Sequence, residues 1–234
     1  MALDSATRVV AVRHGETAWN VDARIQGQLD IALNDKGRWQ ATRVAQALAG
    51  EGLQAVYASD LARAHDTALA IGASCGLAVR RDAGLRERCF GAYEGLTWSE
   101  IERDHPQDSA RWRARDLDFA PPGGESLPRF YARVVEAAHR LAAAHPGETI
   151  ALVAHGGVMD CLYRAAARVP LEAPRSWQLG NTAINRLLFT DDGGFGLVGW
   201  GDTGHLDGAV HDEFSDAAPG EPLARATDRL GRVT

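Results

Sequence analysis

Short valine-rich apolar runs alternate along this chain with longer stretches of helical periodicity, and that alternation limits the fold more than any other feature of the sequence. It is the signature of βα units, so the fold class expected is α/β: a three-layer αβα arrangement with a mostly parallel central sheet. Arg8 to Val12 reads as the first strand, Asp35 to Gly50 as an amphipathic helix, Ala55 to Ala58 as a second strand and Leu61 to Ser74 as its following helix. Ser126 is placed to cap a helix that carries Pro128 in its tolerant first turn and runs to about His145. Thr149 to Ala154 is the most continuous strand, and His155 follows it directly. Asn181 to Thr190 and Phe195 to Trp200 read as a closing hairpin across Asp191-Asp192-Gly193-Gly194.

A chain of 234 residues with 45% hydrophobic content can bury one sizeable core. One domain is expected over residues 1–206, and residues 207–234, with scattered charge and few large apolar side chains, are expected to form a C-terminal tail. The sequence leaves open whether the tail packs on its own core or across a homodimer. A formal net charge of -6 argues against nucleic acid or an anionic membrane as partner. Any phosphate site must be built locally from placed arginines, because Lys36 is the only lysine.

Met1 to Arg13 carries Asp4 and no long apolar run, so it reads as neither a signal peptide nor a membrane anchor, and a cytoplasmic location is expected. Cys75, Cys89 and Cys161 form no CxxC pair, which fits reduced thiols. His139, His145, His205 and His211 lack a mutual spacing that would assemble a metal site. Neither a metal nor a cofactor is expected.

The chemistry is concentrated at strand ends. Arg13-His14-Gly15-Glu16-Thr17 stands where a strand stops and a helical pattern starts, and in open α/β sheets that edge is where ligands bind. A helix N-terminus there also offers amides to an anion. Alone, Arg13 and His14 would be a polar strand end. Ser59-Asp60-Leu61-Ala62-Arg63-Ala64 and Ala154-His155-Gly156-Gly157 stand at two further strand ends, and Leu85-Arg86-Glu87 precedes Phe90-Gly91-Ala92-Tyr93-Glu94-Gly95. All four segments can converge on one sheet edge.

From about Arg8 to His205 the chain resembles, through these segments, the histidine phosphatase superfamily, also called phosphoglycerate mutase-like. The resemblance implies that His14 is the nucleophile, that Arg13, Arg63 and His155 hold the phosphoryl group and that Glu87 is the proton donor. It adds Asn20, Gln26, Gly27 and Gly156 as phosphate- or substrate-binding residues. The chemistry agrees. A nucleophilic imidazole must be unprotonated, which neighbouring arginines favour, and two guanidiniums can clamp the equatorial oxygens without a metal ion. His155, if protonated, adds a third charged donor. Glu87 without this context would be a surface glutamate paired with Arg86 or Arg88, and Glu16 is a weaker candidate for the same proton that more naturally caps or orients the first helix. His65 reads as a helix-face residue, and Trp177 and Trp200 as packing for the closing strands.

The function expected is a phosphate monoester phosphatase that forms a phosphohistidine on a small phosphorylated metabolite. A 2,3-bisphosphoglycerate-dependent mutase is the alternative, and an inactive phospho-ligand binding module is a third reading. Glycolytic mutases of the superfamily carry a basic, tyrosine-containing pattern after the acid position, where this chain has Phe90-Gly91-Ala92-Tyr93. Arg24 to Asp30 and Pro122 to Ser126 resemble the phosphatase branch instead. Substrate choice is expected from Trp98 to Ser126 with Arg24 to Asp30, where Trp112 to Phe119 mixes aromatics with arginines and suits an anionic substrate and an exposed helix equally.

Overall fold

The structure, a computed structural model, describes residues 5–190 and 192–207. Its strands are β1 (Thr7–Arg13), β2 (Ala55–Ala58), β3 (Val79–Arg81), β4 (Thr149–Ala154), β5 (Ile184–Phe189) and β6 (Phe195–Asp202). Its α-helices are α1 (Ala18–Val21), α2 (Asp35–Leu48), α3 (Ala62–Cys75), α4 (Trp98–Asp104), α5 (Pro106–Arg113), α6 (Leu127–Ala143) and α7 (Gly156–Ala167). The strands form one sheet in the order β3-β2-β4-β1-β5-β6. The first four are parallel, and β5 and β6 close the sheet antiparallel.

Alternate residues of each strand serve opposite layers, because successive side chains of a strand leave opposite faces. β1 sends Val9 and Ala11 to one layer and Val10 and Val12 to the other, and β4 splits Ile150 and Leu152 from Ala151 and Val153 in the same way. The first layer is closed by Phe130, Val134 and Leu141 of α6 with Val158 and Leu162 of α7. The second is closed by Val44 and Leu48 of α2 with Ala68 and Ile71 of α3. Cover on both faces explains why all six residues of β4 are buried and why its sequence is almost uninterruptedly apolar. Each fully buried Val, Leu or Ile contributes about 1.5–3 kcal/mol. A one-residue slip of β4 would therefore misplace its whole set.

Local chemistry sets the element ends. The Ser126 hydroxyl accepts from the Arg129 amide and starts α6, which stops at Ala143, short of His145. Asn34 caps α2 by accepting from the Gly37 amide. β5 begins at Ile184 rather than Asn181 because Thr182 takes a left-handed conformation (φ 53°) and gives its amide to the Arg13 carbonyl at 3.0 Å. The expected hairpin is present, with the Gly193 amide on the Thr190 carbonyl at 2.8 Å. Asp191 of its turn, and residues 208–234 of the expected tail, lie outside the described residues.

Two features position the site. The helices that follow β1 and β2 cover one face and those around β4 cover the other, so the crossovers part between the adjacent strands β1 and β4 and open a crevice at their carboxyl ends. Beside it, Tyr93, Ile101 and Phe119 bury each other in a separate cluster with Phe90 and Trp112, which makes a cap from α4, α5 and their flanking loops. No helix among the described residues is long and apolar enough to cross a membrane.

Candidate active site

β1 ends at Arg13 and β4 at Ala154, partners in the parallel ladder, so His14 and His155 leave the sheet side by side with ring centres 5.2 Å apart. The His14 amide extends the ladder by donating to the Ala154 carbonyl at 2.9 Å. Its own carbonyl accepts from Asn181 Nδ2 at 2.9 Å, and the Gly15 amide donates to Thr67 Oγ1 at 3.0 Å, so the backbone is held on both sides of the ring.

His14 Nδ1 lies 2.7 Å from the Gly15 carbonyl oxygen. A carbonyl only accepts, so the neutral ring carries its proton on Nδ1 and keeps the lone pair on Nε2. Burial first, then the charges of Arg63 and Arg13, push His14 well below the ordinary histidine value, and the Gly15 hydrogen bond opposes them least. At neutral pH the ring is an unprotonated base with Nε2 as its basic atom.

Arg63 enters from the first turn of α3 and is buried. Its Nη1 donates to the Leu29 carbonyl at 2.8 Å and its Nη2 to the Gly27 carbonyl at 2.7 Å, which uses two of its five N–H groups. Nε, with no partner among the described residues, and the second hydrogen of Nη2 still form a side-on pair that fits two oxygens of one anion. Burial lowers the guanidinium to about 10, so it stays charged at neutral pH. Arg13, also buried, donates Nη1 to the Leu179 carbonyl.

His155 is fully buried, and neither ring nitrogen has a hydrogen-bond partner among the described residues. Burial, then Arg63, His14 and Arg13, lower its pKa well below the ordinary value. The third cation allowed by the sequence is therefore absent at neutral pH. His155 offers one neutral N–H donor instead.

Glu87 stands on an irregular segment after the short turn Ala83–Leu85. Its Oε2 accepts from the Gly157 amide in the first turn of α7 at 2.9 Å and its Oε1 from the Arg88 amide at 2.8 Å. A Cβ at position 157 would come within 2.2 Å of Glu87 Oε1, so only glycine lets the carboxyl reach the helix end. Arg86, one of the two partners considered for Glu87, grips Asp60 with its guanidinium through bonds of 2.7 and 2.6 Å.

The remaining sequence candidates fall around this centre. Asn20 Oδ1 accepts from the Thr17 amide at 3.0 Å in a capping box on α1, with Nδ2 left to donate. Gln26 is buried with Oε1 unpartnered among the described residues, and Gly27 needs its positive φ (51°) and its missing Cβ, which would meet Glu94 at 2.2 Å. Gly156 is buried where α7 begins. Glu16 accepts from Asn34 Nδ2 at 2.8 Å and pairs with Lys36 at 3.1 Å, an orienting role at the start of α2.

Trp112 to Phe119 resolves toward packing. Trp112 stacks on Phe90 at 5.0 Å, and Arg111, Arg113 and Arg115 pair with Asp116, Glu102 and Asp160. His65 lies against Arg81, His139 packs on Phe189 and Phe195, and His145 bonds Glu148 and Tyr57. Trp177 and Trp200 both pack on Tyr163, and all three cysteines are free thiols. No three His, Cys, Asp or Glu side chains among the described residues are grouped to hold a metal ion.

The sequence offers no individual role for Glu94, Glu125 or Arg133, and for Gln28 only a place in the Arg24 to Asp30 stretch expected to shape substrate choice. Gln28 Nε2 donates to the Glu87 carbonyl at 3.1 Å, and Glu94 Oε1 accepts from the amides of Gln28 and Phe90 at 3.0 Å each. Glu94 and Glu125 lay inside quoted motifs, whereas Arg133 has no local signal that separates it from any arginine on an exposed helix face.

Comparison with known proteins agrees with this geometry. The model of the histidine phosphatase superfamily (branch 1) matches residues 9–203. A phosphoglycerate mutase-like protein 4 of Arabidopsis thaliana is 42% identical over 202 residues, 85% of this chain and 86% of its own. A metal-independent phosphoserine phosphatase of the same plant is 36% identical over 203 residues, 86% of this chain and 83% of its own. The solved structure of a mycobacterial glucosyl-3-phosphoglycerate phosphatase in complex with VO3 superposes with a TM-score of 0.75 at 36% identity, covering 84% of this chain and 99% of that one. The chain belongs to branch 1 of the histidine phosphatase superfamily and is an enzyme of its phosphatase branch.

Proposed function

We propose that the chain hydrolyses small phosphate monoesters through a phosphohistidine on His14. The observation that carries this reading is the His14 ring itself: Nδ1 is tied to the Gly15 carbonyl, Nε2 keeps its lone pair, and burial with Arg63 and Arg13 keeps the ring neutral.

The step that follows from this arrangement is in-line attack of Nε2 on phosphorus. The N–P bond forms as the P–O bond to the leaving group breaks, and the leaving oxygen takes a proton from Glu87. Arg13, the side-on edge of Arg63 and the neutral N–H of His155 meet the equatorial oxygens, whose charge is what an enzyme must stabilise in phosphoryl transfer. In the second step water attacks phosphorus, gives its proton to the Glu87 carboxylate, and the N–P bond breaks to return a neutral His14. Asn20, Gln26, Gly27 and Gly156 border the bound phosphate in this reading.

The relatives named for phosphoserine and glucosyl-3-phosphoglycerate point to one substrate shape, a three-carbon carboxylate phosphorylated at its third carbon. A mutase needs a second anion site. Arg111, Arg113 and Arg115 of the cap are engaged with carboxylates, which supports hydrolysis over isomerisation.

The test is incubation with 3-phosphoglycerate and a chelator, with and without catalytic 2,3-bisphosphoglycerate, following free phosphate and 2-phosphoglycerate together. Phosphate without isomer, abolished in His14→Ala, is the expected result. Isomer appearing faster than phosphate, or activity lost to the chelator, contradicts the reading. No turnover of any phosphate monoester would leave only a binding role.

A further inference from the structure

We infer that Arg133 and Glu125 form a positioning pair whose task is to aim Glu87 at the leaving group. The inference rests on the reading of Glu87 as proton donor and adds to it the device that holds the donor in place.

Arg133 projects from α6 and commits all five of its N–H groups, three to carbonyls of the Gly84–Glu87 segment and two to the Glu125 carboxylate. Nε and Nη2 grip the Glu125 carboxylate at 2.9 and 2.8 Å, Nη1 donates to the carbonyls of Gly84 and Arg86 at 3.0 Å each, and Nη2 donates again to the Glu87 carbonyl at 3.2 Å. Glu125 completes the clamp from the other side. Its Oε2 accepts from the Cys89 amide at 2.9 Å, its carbonyl accepts from Arg88 Nε at 2.8 Å, and its amide donates to the Cys89 carbonyl at 2.8 Å.

The segment around Glu87 belongs to no strand, so no ladder fixes it. This fork and Gln28 hold its backbone at the Glu87 carbonyl, along a path that brings the carboxyl to the Gly157 amide. The Glu125 carboxyl is held below the ordinary range: burial opposes this, and the bonds from Arg133 and the Cys89 amide outweigh it. A lysine cannot replace the fork, since an ammonium has three donors on one atom and no planar pair.

The measurement is kcat/KM, which reports steps up to phosphoenzyme formation, across 4-nitrophenyl, phenyl and glyceryl phosphates. Wild type, Glu87→Gln, Arg133→Lys and Glu125→Gln are compared, each with its inhibition constant for orthovanadate. Arg133→Lys keeps the charge that acts on His155. Glu125→Gln keeps the side-chain volume and carries the measurement if Arg133→Lys does not fold.

The expected result is a loss that grows with leaving-group basicity, reaching about 10²-fold or more on glyceryl phosphate and staying small on 4-nitrophenyl phosphate, with vanadate inhibition unchanged. Both pair variants should follow the trend of Glu87→Gln. A uniform loss in the pair variants beside a graded loss in Glu87→Gln overturns the positioning role and leaves Glu87 as donor. A flat profile in Glu87→Gln itself removes the donor reading, and this inference with it.

Discussion

Burial and two arginines act on His14 in the same direction, and burial with Arg63 acts likewise on His155, so the folded protein holds both rings neutral while the unfolded chain titrates them near the ordinary 6.5. Below that value the unfolded state binds more protons than the folded one. Stability from these rings is therefore complete above pH 6.5 and is lost as pH falls toward their lowered folded values, at up to about 1.4 kcal/mol per pH unit for each ring. Urea unfolding of wild type and His155→Gln between about pH 7.5 and 5 should show the shallower decline in the variant. Equal slopes would mean that His155 is not buried neutral. By the same sign, an acid limb of kcat/KM that belongs to His14 lies below 6.5. At position 157 a methyl group would collide with the Glu87 carboxyl, so Gly157→Ala should lower kcat/KM on an alkyl phosphate by about 10²-fold or more, the size of a general-acid contribution. A variant as active as wild type would show that Glu87 does not need the helix end.

Among the elements, those with a strong period were legible in the sequence and those defined by neighbours were not. β2 and β4 were read to the residue, because strands covered on both faces are apolar without interruption. β3 was invisible, being three residues of which Arg80 and Arg81 are exposed, and it exists through its pairing with β2. The strand-end motifs singled out His14, Arg63 and His155, since a histidine or arginine at a strand end is locally unusual, and the structure brings these three side chains to one sheet edge. The Arg133 fork was hidden because its partners lie 8 to 49 residues away in the chain. The cap illustrates the same limit: Trp112 suits a substrate and an exposed helix equally until Phe90 and Trp98 are seen packed against it. Ile101 is fully buried in that cluster, and Ile101→Ala should cost about 2–4 kcal/mol of local stability. Hydrogen exchange should show faster opening across residues 90–119 while β1 and β4 stay protected. Uniform deprotection would make the cap part of one cooperative core.

For the molecule as a whole, the order of strands places the chemistry. Inserting β4 between β2 and β1 sends the crossovers to opposite faces, and the two histidines meet where those crossovers part. α3 delivers Arg63 to the same edge, the loop from Gln26 to Leu29 ties Arg63 to Glu87, and α6 holds Glu87 from outside. In the proposed reaction this assembly transfers a phosphoryl group to one nitrogen. This transfer is tested most directly by rapid quench into alkaline denaturant during turnover of a 4-nitrophenyl phosphate labelled in its phosphorus, with the protein kept alkaline and the phosphoryl group mapped by mass spectrometry. The expected product is an alkali-stable, acid-labile phosphoryl group on His14 at Nε2, absent from His14→Ala. A phosphoryl group on any other residue, or turnover with no covalent intermediate at any quench time, would contradict it.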